Sequence, residues 1–444
     1  MKGKETKVNF MHWKKELYEL RGILLLWLTQ SVSSLGSAMT NFALVVWSYQ
    51  AEGSALQTAL LSVCSYAPYV LVSIFAGAVS DRLNKKAVML VSDAFAACCT
   101  VTVLVLLHTG RLQIGHLYVL NALNGLMNTF QQPASDVTIS LLTPARHYQR
   151  ISGLRSLSSS VTSMAAPVLA GAMVAAWGMD VVIAFDLATF AFAALTLLFG
   201  IRIPPVESKA ERREGILRAA GEGLRYLRAN RGILHIIFFL AAINLTASMY
   251  NAALPARLLP LAQGERAYSV VNAVCGAAMI AGSVLATLAP KPKNRVRVIC
   301  NTLLLSMSTE NFCLALGDSL PMWCIGATLG WISIPLMNAN LDVVMRTSIP
   351  LDMQGRVYSA RNTLQFFTIP LGYVLGGWLT DAVFEPLMAR AAVDSLPARI
   401  FGVGKGSGAA ALFFLLAWLG VATCLVFRKD RHILALQVSE QGRE

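Results

Sequence analysis

Charge is scarce in this sequence. Only 14% of its 444 residues are Asp, Glu, Lys or Arg, against about 25% in a soluble domain. A water-exposed surface cannot be covered with so little charge, so a soluble globular fold is excluded. Paired cysteines are missing too. The eight cysteines, Cys64, Cys98, Cys99, Cys275, Cys300, Cys313, Cys324 and Cys424, all fall in apolar runs and none forms a Cys-x-x-Cys pair. They read as small buried hydrophobes rather than as disulfides or metal ligands. The six histidines (His12, His108, His116, His147, His235 and His432) show no ligand spacing, and no cofactor or metal is expected. No His pair converges with an acid in the manner of a membrane-embedded enzyme. No segment between apolar runs exceeds about thirty residues, which leaves no room there for an appended sensor module. What the chain has in abundance is apolar residues, at 55%, with a mean hydropathy of +0.57. It is expected to be an all-α integral membrane protein, solvated by lipid.

A helix needs about 20 apolar residues to cross the hydrocarbon. Twelve candidates satisfy this: 22–48, 57–79, 87–107, 116–142, 151–177, 181–201, 233–256, 268–289, 298–316, 321–345, 357–380 and 408–427. The first is too long for a signal-peptide core and is expected to be retained. The bases test the count. With the N-terminus inside, 29 of the 37 Lys and Arg fall in inner segments, six in outer loops, and Arg155 and Arg361 within spans. Short basic loops stay in the cytoplasm, so both termini are placed there, in a multi-pass protein of the cell membrane. The same bias accounts for the net charge of +13 without nucleic acid as a partner.

Residues 202–231 form the longest inner segment, opening with Pro204-Pro205 and carrying eight bases against four acids. Leu217, Ala220, Leu224 and Leu227 recur within it at helical spacing. The segment reads as a linker whose amphipathic helix lies on the anionic inner leaflet. It divides the chain into an N-terminal six-helix bundle (1–201) and a C-terminal bundle with a cytoplasmic tail (232–444). The two halves are related: Pro144, Arg150, Arg155 and Gly171 match Pro350, Arg356, Arg361 and Gly377, each pair 206 residues apart. A parallel repeat of two pseudo-symmetric six-helix bundles is therefore expected. The prolines within spans, Pro68, Pro133, Pro167, Pro335 and Pro370, remove backbone hydrogen bonds and predict kinks.

Between the second and third spans lies Gly77-Ala-Val-Ser-Asp81-Arg82-Leu-Asn-Lys85-Lys86. This Gly-x-x-x-Asp-Arg-x-x-Lys-Lys pattern resembles the signature loop of the major facilitator superfamily of transporters. Further stretches, among them Gln30-Ser-Val-Ser-Ser-Leu-Gly36, Phe130-Gln-Gln-Pro-Ala134, Phe185-Asp186-Leu-Ala-Thr-Phe190 and Gly355-Arg356-Val357, look like the macrolide-efflux branch of drug:proton antiporters, a branch that includes siderophore exporters. The resemblance implies a conformational latch at Gly77, Asp81 and Arg82, with the acid meeting the start of span 11 at Arg356. A carboxylate near a helix N-terminus is favourable by up to about 2 kcal/mol. It implies also that spans 1, 4, 7 and 10 line a central cavity.

Polar residues at helical spacing support such a cavity. In span 4, Asn121, Asn124, Asn128, Gln132 and Asp136 are separated by 3, 4, 4 and 4; in span 1, Gln30, Ser33, Ser37 and Asn41 by 3, 4 and 4. Facing lipid, each unpartnered amide would cost several kcal/mol. The stripes should face water or bond across helices. Asn338 and Asp342 of span 10 stand 206 residues after Gln132 and Asp136, and span 7 offers Asn244, Tyr250 and Asn251. Intramembrane carboxyls default to function. Asp136 and Glu310 are the candidates for proton coupling, with a structural pair to Arg155 as the other reading of Asp136 and packing as the other reading of Glu310. Asp93 and Asp186 read as structural, and Asp342 as a surface partner of Arg346. The expected function is proton-driven export of a small amphipathic compound, drug or macrolide-like, by alternating access. A siderophore or lipid-like metabolite is the alternative substrate class. The expected partners are that substrate, protons and membrane lipid, with the chain acting as a monomer.

Overall fold

The structure is a computed structural model describing residues 2–144, 148–201, 203, 216–290, 292–349 and 354–433. Among these residues every regular element is helical. The first group is α1 (Lys2–Glu52), α2 (Ala55–Arg82), α3 (Lys85–His108), α4 (Ile114–Leu142), α5 (Tyr148–Trp177) and α6 (Met179–Leu195), which ends in a π-turn at Thr196–Gly200. After α7 (Ile216–Ala229) come α8 (Arg231–Leu258), α9 (Gly264–Leu288), α10 (Arg295–Leu316), α11 (Leu320–Trp331) and α12 (Ile334–Ser348). Then follow α13 (Gln354–Phe366), α14 (Thr368–Trp378) with a π-turn at Leu379–Phe384, α15 (Glu385–Ala389), α16 (Leu396–Phe401) and α17 (Ser407–Arg428).

Eleven segments of the described residues are long and apolar enough to cross a membrane. The expected span at 116–142 is the exception. It is fully helical within the 29 residues of α4, about 44 Å at 1.5 Å per residue. Its amides and Asp136 depress its hydropathy, so it matches the expected span in length but not in apolarity. Two expected spans are broken. The span at 321–345 divides into α11 and α12 just before Pro335, and that at 357–380 into α13 and α14 just before Pro370. A proline cannot donate the hydrogen bond that would carry the helix through. Pro68, Pro133 and Pro167 lie inside continuous helices.

The helices of the first group pack chiefly on one another, as do α8 to α17. Two main crossings join the groups, α5 on α9 and α2 on α14, with lesser contacts of α2 and α1 on α8. Both crossings depend on a member of the repeat noted above. A methyl at Gly171 of α5 would lie 2.6 Å from Ser269 Oγ of α9, and one at Gly377 of α14 would lie 2.5 Å from Leu56 Cα of α2. Glycines 206 apart thus stand at both crossings, one against a side chain and the other against backbone.

The two faces of the molecule are defined by contacts between helix ends. Lys86 Nζ, at the start of α3, donates to Leu198 O and Ile201 O at 2.9 and 2.8 Å. His235 of α8 lies 2.8 Å from Asp430 beyond α17. These mark the face where the chain's ends emerge, here the terminal face. On that face Leu20, Ile23, Val88, Met89, Ile151 and Leu197 form one buried cluster, and Leu227, Ile233, Val296, Leu341 and Val344 belong to another. Leu227 corrects one expectation. The amphipathic α7 exists, but Leu227 is fully buried within the protein, and Tyr226 donates its hydroxyl to Ser348 O at 3.0 Å. α7 packs on α13 and α8, and burying Leu227 is worth about 1.5–3 kcal/mol there.

Candidate functional site

The polar stripe of α4 faces a cavity of about 760 Å³. Asn121, Asn124, Asn128 and Gln132 line it from α4, and Gln30, Ser33, Ser37 and Asn41 line it from α1. α5 adds Arg155, Ser158 and Thr162, while Asp93 of α3 and Asp186 of α6 close the remaining walls. Ile23, Ile139 and Ile151 extend the cavity toward the terminal face, and Asn41, Leu44 and Asn121 lie deeper. The helical period explains the arrangement: residues three and four apart share one face, and α1 and α4 turn those faces to the same space.

The charged groups that line the cavity or flank it are held by specific partners. Asp136 Oδ1 lies 2.8 Å from Arg155 Nη2, and Gln132 Nε2 approaches both carboxylate oxygens of Asp136 at 3.4 Å. Asp93 Oδ1 accepts from Gln131 Nε2 at 2.6 Å, and Oδ2 from Gln30 Nε2 at 3.4 Å. This three-helix cluster ties α3 to α4 and α1. Asp186 Oδ1 accepts from Ser37 Oγ at 3.1 Å. Gly36 lets α1 come close enough for that bond, since a methyl there would lie 3.0 Å from the Asp186 backbone. Among the described residues, Asn124 Oδ1 is buried with no hydrogen-bond partner. A buried acceptor left unpaired costs about 1–3 kcal/mol, and here it lines the cavity, where a ligand or water could satisfy it.

Asp93 and Asp186, expected to be structural, therefore form part of the cavity wall. Gln131 and Arg155 were outside the expected set as well. Gln131 lies off the 3,4,4,4 stripe, and nothing in its spacing separates it from a packing residue. A signal did exist for α5 in its polar run Ser158-Ser-Ser160 and Thr162-Ser163.

The second half is arranged differently. Neither Asn244, Tyr250 nor Asn338 lines either of the two cavities described here. Asn244 Nδ2 donates to Gln365 O at 3.3 Å, and Asn338 is exposed. Tyr250 is buried and donates its hydroxyl to Glu310. Glu310 is itself 4% exposed, accepts from Trp331 Nε1 at 2.8 Å and lies 3.9 Å from Cys275 Sγ. The carboxylate thus gathers α8, α9, α10 and α11 into one buried polar point away from both cavities. A smaller cavity of about 280 Å³ lies between the halves, lined by Asn251, Tyr268, Asn272 and Tyr373 from the second half. It shares Asn41, Thr162 and Ser163 with the larger one. The expected latch at Gly77, Asp81, Arg82 and Arg356 falls on side chains outside the described residues, as does Arg346, the expected partner of Asp342.

Residues 26–373 match the family described as Major Facilitator Superfamily. Over 382 residues the chain is 20% identical to macrolide efflux protein A of Streptococcus pyogenes, covering 84% of this chain and 92% of the relative. It is 24% identical over 349 residues to the multidrug efflux pump Tap of Mycobacterium tuberculosis, covering 75% and 81% of the two chains. The crystal structure of the nucleoside transporter NupG superimposes with a TM-score of 0.66 at 11% identity, covering 91% of this chain and 98% of that one. At such identity the likeness is one of fold.

Proposed function

Because the chain belongs to the Major Facilitator Superfamily, we propose that it exports small amphipathic compounds across the cell membrane by alternating access, driven by inward proton movement. The observation that carries this reading is the cavity of about 760 Å³, walled by amides, hydroxyls and the carboxylates of Asp93 and Asp186 within apolar helices. Polar groups persist at membrane depth where they border water or a substrate path. The volume falls in the range of roughly 300–1,000 Å³ typical of sites for drug-sized ligands. Leu26, Leu44 and Phe190 would take the apolar body of such a ligand, and Asn124, Asn128 and Gln132 its polar edge. Export as the direction is supported by the two relatives, both named for efflux.

Asp136 and Glu310 are the proton-coupling groups in this reading, and they act differently. Asp136 pairs with Arg155, which lines the cavity, so a proton there would free Arg155 beside the substrate. Glu310 is sealed among Tyr250, Trp331 and Cys275, so a proton there would alter how four helices pack. The organisation that goes with this reading is a bundle at 1–201, a linker at 202–231 and a bundle at 232–444. Both termini lie in the cytoplasm, and the chain acts as a monomer.

The test is a panel of drugs, siderophores and lipid-like metabolites in everted vesicles, with and without a proton gradient. Gradient-driven uptake into the vesicles that falls in Asp136→Asn and in Glu310→Gln is the expected result. Movement indifferent to the gradient and to both substitutions removes the coupling.

A further inference from the structure

On the face opposite the termini, two carboxylates bridge the halves: Glu265, exposed, accepts from the Gln50 side chain, and Asp381 holds helix backbone. Asp381, in the π-turn that follows α14, reaches the first residues of α2. Its Oδ1 accepts from the Ala55 amide at 3.0 Å; its Oδ2 accepts from the Leu56 amide at 2.8 Å and from Ser54 Oγ at 2.6 Å. Amides in the first turn of a helix have no partner within that helix, and a carboxylate is their best acceptor on charge grounds. Ser54 already caps α2 by accepting from the Gln57 amide at 3.1 Å, so Asp381 completes a cap begun within the first half. One turn earlier, Gly377 lets the Leu56 backbone approach α14. The next acid supplies a contrast. Glu385, four residues on, accepts from the Gly406 and Ala409 amides at 3.0 and 3.3 Å. It thus caps α17, which lies in its own half. Two acids one turn apart do the same chemistry, one across the halves and one within a half.

We infer that Asp381 is a positioning residue for transport: it holds the face opposite the termini closed, and α2 must leave it before the cavity can open there. This rests on the alternating-access reading. It predicts that the bond is made in one state and broken in the other, whereas the Glu385 bonds persist in both.

The test uses the full-length protein in intact cells with a cysteine at Ala166, a buried residue of α5 that lines the smaller cavity. A membrane-impermeant maleimide is added from the face opposite the termini, and labelling of the Ala166→Cys peptide is read by mass spectrometry, which separates it from the eight native cysteines. Asp381→Asn should label about tenfold faster, the equivalent of one lost charge-assisted hydrogen bond. Glu385→Gln should label at the parent rate. Ser54→Ala, which removes one of the three bonds, should give a smaller increase and decides the matter if Asp381→Asn fails to reach the membrane. The parent is also labelled with and without a proton gradient. A gradient-dependent parent rate with no acceleration in Asp381→Asn or Ser54→Ala overturns the latch and leaves alternating access standing. Equal acceleration in Glu385→Gln means general loosening and overturns the latch too. No labelling in any protein under any condition removes alternating access, and the latch with it.

Discussion

Arg155 Nη2 lies 2.8 Å from Asp136 Oδ1, and the two side chains remain 44% and 49% exposed. An ion pair so open to water contributes about 0.2–1 kcal/mol to stability. Its value to the fold is therefore small, while its Arg155 member lines the larger cavity. Asp136→Asn and Arg155→Gln are each expected to lower proton-driven export about tenfold, equivalent to about 1.4 kcal/mol, with thermal unfolding in detergent nearly unchanged. Both are measured on the same purified protein. A fall in melting temperature that accounts for the lost transport would make the pair structural.

Glu310 lends itself to a different separation. In Glu310→Gln the amide oxygen can still accept from Tyr250 and Trp331 Nε1, so the buried network keeps its acceptor. In Glu310→Ala both donors are stranded, at about 1–3 kcal/mol each. The alanine variant is expected to unfold at clearly lower temperature than the glutamine variant. The glutamine variant should fold well, bind substrate and lose its response to a proton gradient. Substrate binding by calorimetry and uptake into everted vesicles check the two halves of this statement.

The stripe Asn121, Asn124, Asn128, Gln132 and Asp136 was legible because a helix repeats every 3.6 residues and five polar positions share one face. The partners of that stripe were not. Gln131 reaches Asp93 on another helix, and which helices become neighbours is a matter of packing that spacing does not encode. The family resemblance implied that spans 7 and 10 would contribute to the cavity, through Asn244, Tyr250 and Asn338. Tyr250 instead turns its hydroxyl to Glu310, and the larger cavity is walled by residues 23–190 alone. The matched glycines, by contrast, predicted more than topology. Gly171 and Gly377 stand at the two crossings between the halves, where backbone shape rather than side-chain chemistry is at stake.

The tie between His235 and Asp430 has a pH dependence whose sign follows from its geometry. Burial pushes the Asp430 carboxyl up, but the His235 contact and the Ile433 and His432 amides outweigh it and hold the group below its ordinary value of 3.8. A depressed carboxyl contributes stability that is present above its unfolded pKa and is lost as the pH falls through the folded one. The difference in melting temperature between the parent and Asp430→Asn should therefore be present above the ordinary carboxyl value and vanish in acid below the depressed one. A difference that grows toward acid would contradict the assignment.

The two crossing glycines give the sharpest contrast. At Gly171 an added methyl meets Ser269 Oγ at 2.6 Å, the mobile end of a short side chain that can rotate away. At Gly377 it meets Leu56 Cα at 2.5 Å and Leu56 N at 2.9 Å, backbone atoms that move only if α2 and α14 separate. Overpacking of that kind costs about 1–3 kcal/mol, and here the strain falls beside the bonds from Asp381 to Ala55 and Leu56. Gly377→Ala is thus expected to unfold at lower temperature than Gly171→Ala and to transport more slowly, although the two residues occupy matching places in the repeat. Melting curves and export rates of the two single variants, compared with the double variant, measure it. Because the crossings share no residue, their effects on stability should add within about 0.5 kcal/mol, and a double variant far from that sum would show that the two crossings open together.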